Sequence, residues 1–156
     1  NENVNAAAFD LVDAGTLAYW AAQYFDGRQY EEAIIFNEEA LKKGPAADLK
    51  FQILFNLSSA YLERGIEPYL KNKDSAFYQK SLAYAQEALT LQPNDWKTLA
   101  NMATIHMNMD QLEQADKYYK KAEKYVDPKS PYYQQLVTQH GVMTAKLEAL
   151  SGKKKK

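Results

Sequence analysis

The sequence predicts an all-α protein built from a repeated helix pair. Two observations carry that prediction: a four-residue stripe that recurs three times at helical spacing, and a proline that closes each unit. Composition bounds it. With 156 residues, 46% of them hydrophobic, 25% charged, and only 6 Gly and 5 Pro, the chain can bury a core and is unlike a disordered or collagen-like one.

Residues 1–13 form a lead-in segment, in which Asn5 to Asp13, with Phe9, Leu11 and Val12, reads as a short helix. The stripe follows as Leu17-x-x-Trp20-Ala21-x-x-Tyr24, Leu54-x-x-Leu57-Ser58-x-x-Tyr61 and Leu99-x-x-Met102-Ala103-x-x-His106. Spacing of i, i+3, i+4, i+7 places all four residues on one side of a helix. The third is small each time, which lets a neighbouring helix come close. A second helix follows each stripe, as in Tyr30, Ala33, Ile34 and Ala40, or Leu112, Ala115, Tyr119 and Ala122. Proline cannot continue a helical ladder, so Pro45, Pro93 and Pro128 end these second helices, and Asn94-Asp95 offers a cap for the next. Trp20, Tyr24, Tyr30 and Tyr61 are expected in the core. Of the pairs Tyr118-Tyr119 and Tyr132-Tyr133, one member each is expected outside it.

The units span 14–47, 51–95 and 96–128. Ala88 and Ala122 stand 34 residues apart, Ala40 and Ala88 48 apart, so the middle unit is longer. Three of its extra residues, Asp48, Leu49 and Lys50, read as a lengthened loop. Eleven more fall at 66–76, where Pro68 predicts a break after Gly65 and a restart near Pro68 or Asp74, with the insertion either lengthening the second helix or forming a short separate turn. Beyond Pro128, Ser130-Pro131 is a cap followed by a first-turn proline. It opens a helix over 130–151 with Leu136, His140, Met143, Leu147 and Leu150 on one stripe. Val137-x-x-His140-Gly141 echoes the first helix of a unit, with Gly141 in the small slot, and predicts close packing there. The segment reads as a capping helix, or as the first helix of a fourth unit. Residues 152–156 are a basic tail, read as a solvated end with an anionic-lipid or address signal as the alternative.

Large-x-x-large-small-x-x-aromatic, then Ala, Ala-Leu and Pro, in a unit of 34 residues, resembles the tetratricopeptide repeat over roughly 14–128. His106 in the aromatic slot and Pro128, one residue late, depart from the pattern. The resemblance implies antiparallel helix pairs stacked into a right-handed superhelix whose first helices line a concave groove. Its groove residues would be Ala18, Tyr19, Ala22 and Asp26; Phe55, Asn56, Ser59 and Glu63; and Lys97, Asn101, Thr104 and Asn108. Aromatic side chains beside amides suit an extended peptide. Some members of the family clamp a C-terminal carboxylate with basic and amide side chains. Only Asn56 and Lys97 match that clamp. Ala18 and Ala22 stand where a lysine and an asparagine are needed, and Asn101 where a cation is usual, so this mode of binding is not expected.

Nothing in the sequence points to catalysis, a cofactor or a metal. Cysteine is absent, which removes disulfides, thiolate zinc sites and cysteine nucleophiles. Glu31-Glu32 and Glu38-Glu39 lie side by side on what reads as a solvated helix face, whereas catalytic carboxylates face each other across a substrate. His106 and His140 sit on apolar stripes without a second ligand at metal spacing, and read as packed core or groove histidines. Phosphate-loop, dinucleotide, zinc-protease and serine-hydrolase motifs are missing. Asn56-Leu57-Ser58 fits a glycosylation pattern only inside a predicted helix.

The charge balance is 19 basic to 20 acidic side chains. Without the four terminal lysines the body holds 15 against 20, about −5, and reads as acidic with no basic stripe. That argues against nucleic acid as a partner and toward a neutral or mildly basic polypeptide. No apolar run reaches the ~18–20 residues of a membrane helix, so no membrane insertion is expected. The expected function is therefore a non-catalytic protein-protein interaction module that binds a peptide or protein segment. The alternative is an assembly module, a homo-oligomer or part of a larger protein, associating through its terminal helices or the 66–76 insertion. A start on Asn1 rather than Met, with no cysteine, leans toward an exported or periplasmic chain.

Overall fold

The computed structural model describes residues 6–153, and among them every regular element is a helix. In order they are α1 (Ala6–Asp10), α2 (Ala14–Asp26), α3 (Tyr30–Lys42), α4 (Ala47–Asn72), α5 (Ala76–Leu91), α6 (Trp96–Asn108), α7 (Leu112–Tyr125) and α8 (Pro131–Lys153). The chain divides into two compact units, Asn1–Leu91 and Gln92–Lys156. The expected all-α architecture is the one found.

In the first unit α2 packs on α3, α3 on α4, and α4 on α5. Its core holds the predicted residues Leu17, Ala21, Ala33, Ala40, Leu54, Leu57 and Ala88, all fully buried, together with Ala85. In the second unit α6 packs on α7 and α7 on α8, around Ala103, Ile105, Ala115, Tyr119, Ala122 and Met143. Small residues at the contacts allow close helix approach, and the larger stripe residues fill the layers on either side.

The hairpins α2–α3 and α6–α7 have one internal design, with equivalent residues 82 positions apart. Asp13 caps α2 by accepting from the Thr16 amide and hydroxyl, both at 2.9 Å. Asp95 caps α6 the same way through Thr98, at 2.8 and 2.7 Å. Both connecting turns close alike: the Gln29 amide donates to the Tyr24 carbonyl at 2.8 Å, and the Gln111 amide to the His106 carbonyl at 2.8 Å. Arg28 and Asp110, the middle residues of these turns, share a left-handed φ of 58°. Neither is glycine, so each turn holds a conformation that an ordinary residue adopts only at a cost.

The middle hairpin corrects two expectations. Asp48, Leu49 and Lys50 do not lengthen a loop; they form the first turn of α4, where the Asp48 carboxylate suits the positive end of the helix and Lys50 pairs with Glu87 at 2.9 Å. Nor does the chain break after Gly65. Helix α4 runs through Gly65 and Pro68 to Asn72, and the reversal comes at Lys73, in the left-handed region at φ 56°. Gly65 is instead the crossing point of α4 and α5. A Cβ there would stand 2.7 and 2.8 Å from two ring carbons of Tyr78, which is itself 2% exposed. Beyond the crossing, Tyr69 packs on Tyr78 with ring centres 5.4 Å apart, which holds the last turns helical despite the proline.

Gly141 is the converse. Close packing is expected there, yet Gly141 is exposed and nothing lies within 4 Å of where its Cβ would be, because α8 turns Leu136 and Met143 to the core rather than this face. Among the aromatics expected inside, only Tyr61 is fully so; Tyr24 and Tyr30 are half-buried, and Trp20 is 40% exposed, edge-on to Phe36. Tyr119 is the buried member of its pair, and Tyr132 the exposed member of the other. The lead-in helix begins at Ala6, with Asn5 outside the described residues; it is anchored by Phe9 on Phe36 and by Lys43, whose ammonium donates to the Phe9 carbonyl at 2.7 Å. The terminal helix extends through Lys153, and Lys154 to Lys156 lie outside the described residues.

Substituting the two glycines should have opposite effects. Gly65→Ala forces an overpacked crossing and should cost about 1–3 kcal/mol in urea denaturation. Gly141→Ala, in open space on a helix, should add up to about 1 kcal/mol. A neutral Gly65→Ala would contradict the crossing.

Candidate functional site

In the first unit, Tyr19, Ala22 and Asp26 share one face of α2, and Phe55, Asn56, Ser59 and Glu63 one face of α4, by their three- and four-residue spacing. Tyr19 is 62% exposed and Asp26 is exposed. Ala22, Phe55, Asn56, Ser59 and Glu63 are half-buried. Ala18 departs from expectation: at 9% exposure it belongs to the core, because its position on α2 turns toward the packed side. Neither Asp26 nor Glu63 forms an ion pair, and the Asn56 amide makes no hydrogen bond, among the described residues. Ser59 is already engaged. The face thus presents two apolar surfaces, one open amide and two carboxylates without counter-charges.

Sequence reading stops this face at Glu63 because it expects the helix to break after Gly65. With α4 continuous, Ile66 and Leu70 extend the row Phe55, Ser59, Glu63 by two more turns. Ile66 is 36% and Leu70 72% exposed. Helical periodicity carried across Gly65 would have found them.

In the second unit the predicted residues are more committed. The exposed Lys97 ammonium lies over the Trp96 ring, 5.8 Å from its centre. Thr104 donates to the Ala100 carbonyl at 3.0 Å, and Asn101 and Asn108 are both engaged. The sites that sequence reasoning placed in one row therefore differ: open polar groups in the first unit, largely satisfied ones in the second.

The acidic pairs need correction too. Glu38 does not lie on a solvated face; it is half-buried and accepts from the Tyr61 hydroxyl at 2.7 Å and the Tyr84 hydroxyl at 3.3 Å. Burial, then the Glu38 carboxylate, pushes the Tyr61 hydroxyl well above the ordinary range, and burial with the Glu38 charge pushes Tyr84 up to about 12. The arrangement is a structural tie from α3 to α4 and α5.

His106 stacks on Tyr118 with rings 5° from parallel, and its Nδ1 meets the Gln111 side chain at 2.6 Å. His140 is held on both sides, Nδ1 by Glu123 at 2.6 Å and Nε2 by Asp116 at 2.9 Å, and stacks on the buried Tyr119. Hydrogen bonds from Lys120 and then His140 hold the Asp116 carboxyl below its usual value. This carboxylate–imidazole–carboxylate bridge fastens α8 to α7. Among the described residues no group of His, Asp or Glu is arranged to hold a metal ion. A cleft of about 480 Å³ lies between Trp20, Gln23, Tyr24, Gln29 and Phe36, and another of about 560 Å³ where Leu112 and Glu113 face Leu147 and Leu150. No helix among the described residues is long and apolar enough to cross a membrane.

No protein-family model matches the chain, and no curated protein matches it.

The buried tyrosines give the first unit a defined alkaline limit. Unfolding returns Tyr61 and Tyr84 to ordinary phenols near 10, so above that pH the unfolded chain binds fewer protons than the folded one. Stability should fall as pH rises from 10 to 12. Replacing both tyrosines by Phe should flatten that slope in thermal melts; an unchanged slope would mean the phenols are not so held.

Proposed function

We infer that the chain is a non-catalytic binding module of the tetratricopeptide-repeat type, which takes an extended peptide along the α2/α4 face of its first unit. The repeat assignment is supported by the two hairpins that share caps, turns and left-handed residues 82 positions apart. In repeat arrays each helix pair buries only part of its apolar stripe and stacking completes the core.

The observation that carries the binding reading is the open chemistry of this face. Phe55, Ile66 and Leu70 on α4, with Tyr19 on α2, offer apolar contacts at steps of a few residues. Asn56 has donors and an acceptor for a peptide backbone, since an extended chain brings its own unpaired N–H and C=O groups. Asp26 and Glu63 favour lysine or arginine in the ligand. The peptide is neutral to mildly basic, with large apolar side chains.

Selection of displayed random peptides against the full chain should yield basic, apolar-rich sequences. Tyr19→Ala and Leu70→Asp should each weaken the selected peptides about tenfold in a fluorescence titration, as truncated hot-spot residues do. Thermal stability should be unchanged. Peptides indifferent to both substitutions would contradict the assignment.

A further inference from the structure

Helix α7 carries four different surfaces, and one of them has no partner. Leu112, Ala115, Tyr119 and Ala122 face the core. Asp116 and Glu123, seven residues apart, face α8 and hold His140. Opposite the core, Lys117, Lys120, Lys121 and Lys124 form a single-sign row, all exposed, with Glu113 at its N-terminal end. Tyr118 and Tyr125 flank that row. Whole-chain charge conceals this row, so the expectation of no basic stripe is wrong for α7.

The row is unlike the other solvated helix faces. Lys42 and Lys71 are matched within their own helices, by Glu39 and Glu67. On α7 only Lys120 has an acid, Asp116 at 2.7 Å. Lys117, Lys121 and Lys124 pair with no carboxylate among the described residues, and of the acids on α7 Asp116 and Glu123 are engaged with His140. Like charges at i, i+4 and i+3 are mutually destabilising by a few tenths of a kcal/mol each. The helix keeps them together in a chain of net charge −1.

We propose that this outer face of α7 is a second docking surface, distinct from the α2/α4 face, for an acidic protein segment that carries carboxylates along its length. Charge complementarity selects the occupant. Lys117 to Lys124 rise about 10 Å along the helix, the reach of two turns of a partner helix with acids at the same spacing. A single-stranded nucleic acid would need open aromatic faces for its bases. Those are taken: Tyr118 is stacked on His106 and carries the Lys121 ammonium 5.6 Å from its centre, and Tyr125 carries that of Lys124 at 5.4 Å. Four lysines also neutralise too few phosphates for strong, salt-tolerant binding. Side-chain carboxylates need only the ammonium groups.

The test is an anisotropy titration of the full chain with a labelled peptide, about a dozen residues long, bearing glutamates at three- and four-residue spacing. Its C-terminus is amidated, so no terminal carboxylate contributes. Saturable binding that weakens with added salt is expected, and Lys117→Glu/Lys121→Glu/Lys124→Glu should weaken it at least about tenfold. Lys42→Glu/Lys71→Glu/Lys73→Glu, an equal charge change on the first unit, should shift it less than about twofold. Circular dichroism should show both variants folded, since all six side chains are exposed. The proposal is overturned by no saturable binding, by equal losses in the two variants, by an unchanged affinity in the α7 variant (the terminal lysines would then be responsible), or by tighter binding of an oligothymidylate of equal charge.

Discussion

Where α4 crosses α5 there is no room for a side chain. Gly65 lets the α4 backbone lie against the buried Tyr78 ring, and two helical turns back Ser58 and Ser81 meet in the same contact, the Ser81 hydroxyl donating to the Ser58 carbonyl at 2.6 Å. This line of small residues decides the length of α4. Because the crossing is glycine and not a turn, the helix continues for another seven residues, and Tyr69 finds Tyr78 on the far side. The extra turns carry Ile66 and Leu70 into line with Phe55, Ser59 and Glu63. The candidate peptide face therefore owes its size to a contact on the opposite side of the helix.

Polar ties then fix what the small-residue contacts bring together. Glu38 receives hydroxyls from Tyr61 and Tyr84, joining α3 to both helices of the next hairpin. The carboxylates of Glu123 and Asp116 flank the two ring nitrogens of His140, joining α8 to α7. Buried or half-buried polar groups are stabilising only when such partners are complete. In the second unit the tie has a consequence for the surface: with Asp116 and Glu123 engaged by His140, three of the four outward lysines of α7, Lys117, Lys121 and Lys124, have no carboxylate among the described residues. Packing in one sector of a helix sets the charge of another.

The fold was largely legible in the sequence, and for a physical reason. Stripes at i, i+3, i+4, i+7 and terminal prolines are local signals, and local signals suffice for helix pairs. Asp95 and Ser130-Pro131 begin helices as their chemistry requires. Failures came where one residue type has two uses. Gly65 followed by Pro68 reads as a break, and only the buried Tyr78 ring, distant in local pattern, makes glycine a crossing instead. Gly141 reads as a crossing, and α8 brings no neighbour to it. The sites were less legible than the fold. Exposure separates Tyr19 from Ala18, one residue apart, and no pattern in the sequence showed that Glu38 would be half-buried. The lysine row of α7 was present in the sequence at helical spacing but was averaged away by counting charge over the whole chain.

The continuity of α4 through Gly65 and Pro68 can be measured directly. The chain has no cysteine, so cysteines introduced at Gln52 and Leu70, both exposed and on the same side of α4, would carry the only two spin labels. Eighteen residues of unbroken helix rise about 27 Å. Pulsed dipolar spectroscopy should therefore give one narrow distance distribution near that value. A broad distribution, or one centred well below it, would mean that the helix breaks at Gly65 and that the extended face does not exist.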